Sequence, residues 1–147
     1  MGKLPLAYII EDQSTLALLY SDALALVGYQ VKTIRTGHDA INQLETASDM
    51  PDLIVLDINL PGLTGDSILA HLRRKDSLKH IPVMVVTANS LMARKIQPQL
   101  TERDNLVIKP LAMPQLQAFA RQVLPVEEAL ISPEDATTHS SEMDGNV

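Results

Sequence analysis

The chain has 147 residues, with 12 Lys and Arg against 18 Asp and Glu, a formal net charge of −6. That length suits one domain, and 46% apolar content is enough to bury a core, so wholesale disorder is excluded. The absence of Cys excludes disulfides, thiolate metal sites and thiol nucleophiles.

No apolar run reaches the ~20 residues of a membrane span. Met1 to Pro5 opens no long apolar signal region. A cytoplasmic location and no membrane partner are therefore expected. The charge is unevenly placed. Residues 1–125 hold 12 acids and 12 bases, while residues 126–147 hold six acids and no Lys or Arg. A neutral body with four aromatics (Tyr8, Tyr20, Tyr29, Phe119) lacks the basic footprint and stacking platform of a nucleic-acid binder. We expect one domain over 1–125 and a disordered acidic segment over 126–147, a solvated linker or a docking or autoinhibitory element.

Along the chain, Leu6–Ile10 is the first strand-length apolar run. A helical stripe follows at Leu16, Leu19, Tyr20, Ala23, Leu24 and Val27, with Ser14 as N-cap and Gly28 as the stop. Val31–Arg35 mixes apolar and charged residues and reads as an edge strand. Ala40, Ile41 and Leu44 make a second, short stripe. Leu53–Leu56 is the next apolar run, and Ile68, Leu69 and Leu72 form a stripe after Gly65. Val83–Val86 follows. Ser90–Leu100 should be helical, but Pro98 inside it predicts a short, kinked or shifted helix. Leu106–Ile108 reads as the other edge strand. A last stripe at Leu116, Phe119, Ala120, Val123 and Leu124 has Pro114 near its start and Pro125 as its stop. Apart from Val31–Arg35, the runs show little alternation, as strands covered on both faces do. Strand and helix alternate five times, which predicts an α/β domain with a doubly wound parallel sheet.

In such sheets ligands bind beyond the carboxyl ends of the strands. The residues there are Glu11 and Asp12, then Asp57, then Thr87, then Lys109. Each alone has a plain reading: a loop-capping carboxylate for Asp57, a helix cap for Asp12, a β-former for Thr87, a surface lysine for Lys109. Together they place three carboxylates, a hydroxyl and an ammonium at one rim. Clustered carboxylates repel unless one protonates or a cation intervenes. Hard oxygen ligands suit Mg²⁺. A carboxylate can attack phosphorus to give an aspartyl-phosphate. A cation, an ammonium and a hydroxyl would then stabilise the charge on the transferred group.

Glu11-Asp12, the stretch Asp57-Ile58-Asn59-Leu60-Pro61-Gly62-Leu63-Thr64-Gly65, Thr87-Ala88 and Lys109-Pro110 together resemble the receiver domain of two-component response regulators. The resemblance covers about residues 5–125. It implies a flavodoxin-like (βα)5 fold with strand order 2-1-3-4-5. It implies Asp57 as phosphoacceptor, with Thr87 and Lys109 contacting the phosphoryl group. Glu11, Asp12 and Asp57, with the backbone carbonyl of Asn59, would hold Mg²⁺. Ala88 would leave room for the phosphoryl group, and Lys109-Pro110 would be a cis peptide. Asn59 and Asn89 would influence hydrolysis of the phosphorylated form.

The implied function is a stand-alone response regulator. It would take a phosphoryl group from a sensor histidine kinase or a histidine phosphotransfer protein and switch binding to a downstream protein. It would not be an enzyme beyond its own phosphorylation and slow autodephosphorylation. Homodimerisation is left open. Two features depart from the family pattern. Leu106 stands where the family commonly has an aromatic switch residue, and Leu100-Thr101-Glu102-Arg103-Asp104-Asn105 lacks the usual Gly. With Pro98, they predict that phosphorylation acts by ordering or displacing residues 88–105. The alternatives are a phosphorylation-independent receiver-like interaction module and a phosphohydrolase of the haloacid dehalogenase type. The latter usually has an Asp two residues after its nucleophile, where this chain has Asn59.

Overall fold

The computed structural model describes residues 3–124. Pro125 and the acidic 126–147 segment lie outside the described residues. The elements are β1 (Leu6–Ile10), α1 (Ser14–Leu26), β2 (Gln30–Ile34), α2 (Gly37–Thr46) and β3 (Leu53–Asp57). They continue with α3 (Gly65–Arg74), β4 (Val83–Thr87), α4 (Ser90–Ile96), a 3-10 turn at Gln97–Gln99, β5 (Asn105–Ile108) and α5 (Met113–Gln122).

All five strands are parallel, in the order β2-β1-β3-β4-β5. This is the flavodoxin-like architecture expected. β2 and β5 are its edges, as expected for the mixed Val31–Arg35 segment and for the last strand. β3 and β4 are buried at every residue, which explains why their sequences show no alternation.

Side chains alternate across the sheet and feed two core layers. Ala7 and Ile9 join Val55, Met84, Tyr20, Leu24, Leu116 and Phe119 beneath α1 and α5. Tyr8 and Ile10 join Leu56, Val85, Leu44, Leu69, Leu72 and Ile96 beneath α2, α3 and α4.

The helix signals were mostly sound, with two corrections. Ser14 is the first helical residue of α1, and Gln13 takes the cap position without a side-chain bond. The Glu11 carboxylate takes over part of that work by accepting the Gln13 N–H at 3.1 Å. Leu19 faces outward, 46% exposed. Burial of Ala17, Tyr20, Ala23 and Leu24 fixes the rotation of α1, which turns Leu18, Leu19 and Leu26 to the surface. Gly28 ends α1 as expected: its φ is +97°, and its N–H and that of Tyr29 bond back to Ala25 and Leu24. The Pro98 effect is also seen. α4 stops at Ile96 and the chain tightens into the 3-10 turn, with Pro98 in its first positions where no N–H is required.

Among the described residues no helix is long and apolar enough to cross a membrane. His71 is largely covered: its side chain is 15% exposed and its Nε2 lies 2.9 Å from Glu45.

Candidate functional site

The strand order reverses between β1 and β3, so a crevice opens above their carboxyl ends. Register then decides which side chains meet there. Ile10 pairs with Leu56, so Glu11 and Asp57 follow side by side. Asp57 pairs with Val86, which sets Thr87 one step beyond, and Thr87 pairs with Ile108, which sets Lys109 one step further. The Lys109 N–H donates to the Thr87 carbonyl at 2.8 Å and holds that last step.

The result is a compact polar centre at the carboxyl end of the sheet. Glu11, Asp57 and Thr87 are the three buried polar or charged residues among those described. Oxygens of Glu11, Asp12 and Asp57 all lie within 4.8 Å of one another. Lys109 Nζ lies 3.4 Å from Asp57 Oδ2, and Asp57 Oδ1 accepts the Asn59 N–H at 3.0 Å. Asp12 is half-buried, and its backbone carbonyl accepts from the Arg35 guanidinium at 2.9 Å.

Burial pushes the Glu11 carboxyl up to about 7. The Gln13 N–H opposes this, the Asp57 charge adds to it, and the Lys109 ammonium opposes it again. Glu11 Oε1 is buried and has no hydrogen-bond partner among the described residues. Such an orphan acceptor in a carboxylate cluster calls for a proton or a cation. The donor set is all hard oxygen, so the residues present fit Mg²⁺.

The loop after Asp57 is shaped by two glycines. Gly62 has φ +75°. A Cβ at Gly65 would lie 2.5 Å from Ile58 Cα and 2.6 Å from the Asp57 carbonyl, so only glycine lets α3 start this close to β3. Among the other expected residues, Asn59, Ala88 and Pro110 are exposed at the rim. The Lys109-Pro110 peptide is cis, as expected. Leu106 sits half-buried against the α2–α4 core layer, away from the polar centre.

Sequence reasoning missed one neighbour, Tyr20, and one bond, made by Asn89. Tyr20 was read only as core, yet its phenol is pushed up to about 12 by burial first and then by the charges of Glu11 and Asp57. Asn89 ties the site to α4. Its N–H donates to Thr87 Oγ1 at 3.1 Å, while its Oδ1 caps α4 by accepting from Leu91 and Met92. An Asn before a helical run is a legible cap signal, but its bond to Thr87 is not.

The model of the response regulator receiver domain matches residues 7–121, and the chain belongs to that family. Its relatives include the phosphate regulon transcriptional regulatory protein PhoB of Rhizobium meliloti (strain 1021). The two are 30% identical over 121 residues, 82% of this chain and 52% of PhoB. The transcriptional regulatory protein PrrA of Mycobacterium leprae (strain TN) is 32% identical over 82% of this chain and 50% of its own length. The chain thus spans about half the length of the curated relatives it matches. Among solved structures, the signal receiver domain of a signal transduction histidine kinase from Syntrophus aciditrophicus superposes with a TM-score of 0.71. It is 26% identical, over 82% of this chain and 89% of that one. Receiver domains are regulatory modules of two-component signalling, not classical enzymes. They take phosphoryl groups from histidine kinases, and phosphorylation and Mg²⁺ are typical of them.

Proposed function

We propose that this chain is a phosphorylation-controlled switch, with residues 1–125 as the receiver unit and 126–147 as an acidic appendage. Asp57 is the phosphoacceptor. The observation that carries this reading is the Lys109 ammonium 3.4 Å from Asp57 Oδ2, where Asp57, Glu11 and Asp12 place carboxylate oxygens within 4.8 Å of one another. An Asp57 oxygen attacks the phosphorus of a partner's phosphohistidine. A P–O bond forms, the P–N bond breaks, and the released imidazole nitrogen takes a proton.

Lys109 and the Thr87 hydroxyl receive the phosphoryl oxygens, and exposed Ala88 leaves the approach open. Asp12, Asp57 and the Asn59 carbonyl would hold Mg²⁺, with Glu11 completing the acidic pocket. Bound there, the ion would offset the carboxylate charge and the charge on the transferred group. When Thr87 turns to the phosphoryl group, its Oγ1 is drawn from the Asn89 N–H, which loosens the cap of α4. The output is therefore displacement of the 88–105 segment, read by a protein partner, and no ring rotation is involved.

Incubation with acetyl phosphate and Mg²⁺ tests this. A mass gain of one phosphoryl group, lost in Asp57→Asn, is expected. The second reading, an interaction module that works without phosphorylation, is favoured by Leu106 packed into the core where the family has its ring. It predicts no mass gain and equal partner binding with and without phosphodonor. Amide exchange separates the outputs: increased exchange over 88–105 on phosphorylation supports displacement, and unchanged protection there overturns it.

A further inference from the structure

The sheet edge at β5 carries a charge pattern that the phosphorylation site does not explain. β5 pairs only with β4, α4 covers one face of this edge, and α5 covers the other. Residues 88–124 contain five bases and two acids. Lys109 is engaged with Asp57, and Asp104 is buried against Arg73. That leaves Arg94, Lys95, Arg103 and Arg121, all exposed, against Glu102 alone. None of the four makes an ion pair with another described residue.

Two apolar side chains add to this edge. Leu91 on α4 is 72% exposed, in i,i+3 and i,i+4 relation to Arg94 and Lys95, and Ile108 on β5 is 48% exposed. Between the start of β5 and the end of α5 lies a cleft of about 650 Å³, lined by Arg103, Phe119, Gln122 and Leu124 together with the acids Glu102 and Asp104.

The complementary charge is in the same chain. Residues 125–147 hold six acids and no Lys or Arg, and also the apolar residues Val126, Leu130 and Ile131. They follow Leu124, which itself lines the cleft. Twenty-three residues reach far beyond the few tens of ångströms across this domain. α1, which exposes Leu18, Leu19 and Leu26, has no Lys or Arg and so offers nothing to an acidic segment.

We propose that the acidic 125–147 segment docks in cis on the α4–β5–α5 edge. Its carboxylates face Arg94, Lys95, Arg103 and Arg121, and its apolar residues cover Leu91 and Ile108. The segment thereby competes with any protein partner that uses this edge. The attraction between exposed charges is screened by salt, so the contact is strongest at low ionic strength.

The native absence of Cys makes the test clean, since Ala136→Cys in the full chain accepts a single spin label. Paramagnetic broadening of amides is then read by NMR without phosphodonor, so the result is independent of the Asp57 chemistry. Several-fold loss of intensity is expected at residues 91–95 and 103–109, and little at α1. It should be reversed by molar NaCl and by the combined Arg94→Glu, Lys95→Glu, Arg103→Glu and Arg121→Glu substitutions. Their fold is checked by the unchanged dispersion of the remaining amides. A second sample, mixing spin-labelled protein that is isotope-silent with isotope-enriched protein that carries no spin label, should show no broadening. Broadening in that mixture, broadening centred on Leu18, Leu19 and Leu26, or weak uniform broadening would each overturn the proposal.

Discussion

Glu11 makes the metal-free protein sensitive to pH in a direction opposite to that of an ordinary paired carboxylate. Its carboxyl titrates near the usual 4.5 in the unfolded chain and at about 7 in the fold, chiefly because it is buried. A carboxyl raised in this way favours the fold while protonated. Its contribution is full below about 4.5 and is lost as pH rises through about 7. One pKa unit corresponds to about 1.4 kcal/mol, so stability should fall by roughly 2.5 kcal/mol between pH 5 and pH 8. The assay is urea unfolding in EDTA at both pH values, for the native chain and Glu11→Gln. The amide keeps an oxygen for the Gln13 N–H but carries no charge. Every other residue is the same in both proteins, so the remaining pH dependence cancels in the comparison. Glu11→Gln should be close to the native chain at pH 5 and more stable by about 2–3 kcal/mol at pH 8. Parallel pH dependences for the two proteins would refute the assignment of this titration to Glu11.

Three further outcomes follow from the geometry. At pH 8, Mg²⁺ should raise the urea midpoint of the native chain and raise that of Asp12→Asn less, because Asp12 is one of the three clustered carboxylates. Equal shifts would remove Asp12 from the metal site. Arg73→Ala should destabilise by about 3–5 kcal/mol, since it leaves a buried carboxylate unpaired. Asp104, its partner at 2.5 Å, has a fully buried side chain that also accepts from Val83, Thr101 N–H and Thr101 Oγ1. A loss under about 1 kcal/mol in urea unfolding would mean that Asp104 is satisfied without it. Tyr29→Phe should cost about 1–3 kcal/mol, because the Ala120 carbonyl loses its 2.6 Å bond in a buried setting. A midpoint unchanged in urea would show that another donor takes over.

Much of this protein is legible in its residues in order. The four apolar runs, the mixed edge segment Val31–Arg35 and the intervening stripes mark the elements because burial on two faces, or on one side, imposes those periods. Glu11, Asp12, Asp57, Thr87 and Lys109 are legible as a set because each directly follows a strand, and a parallel sheet sends all such ends to one rim. Pro98 correctly announces a short α4 because its ring cannot sit in a helix interior. Rotation about a helix axis is less legible: a helix as apolar as α1 offers two plausible inner faces, and only packing against β1 and α5 turned Leu19 outward.

What tertiary structure alone decided lies in the contacts between distant segments. Register and packing bury Glu11 beside Asp57, and that burial, with the Asp57 charge added to it, raises its titration. Asp104 is an unremarkable loop acid until the fold brings it, 31 residues away in sequence, to Arg73. Thr87 and Asn89 are near neighbours in sequence, yet only the turn between them makes one hydroxyl serve both the site and the cap of α4. Sequence periodicity reports how much of a side chain must be hidden. Which atoms then face it, and so its charge state, depends on strand order and register, which no single segment encodes.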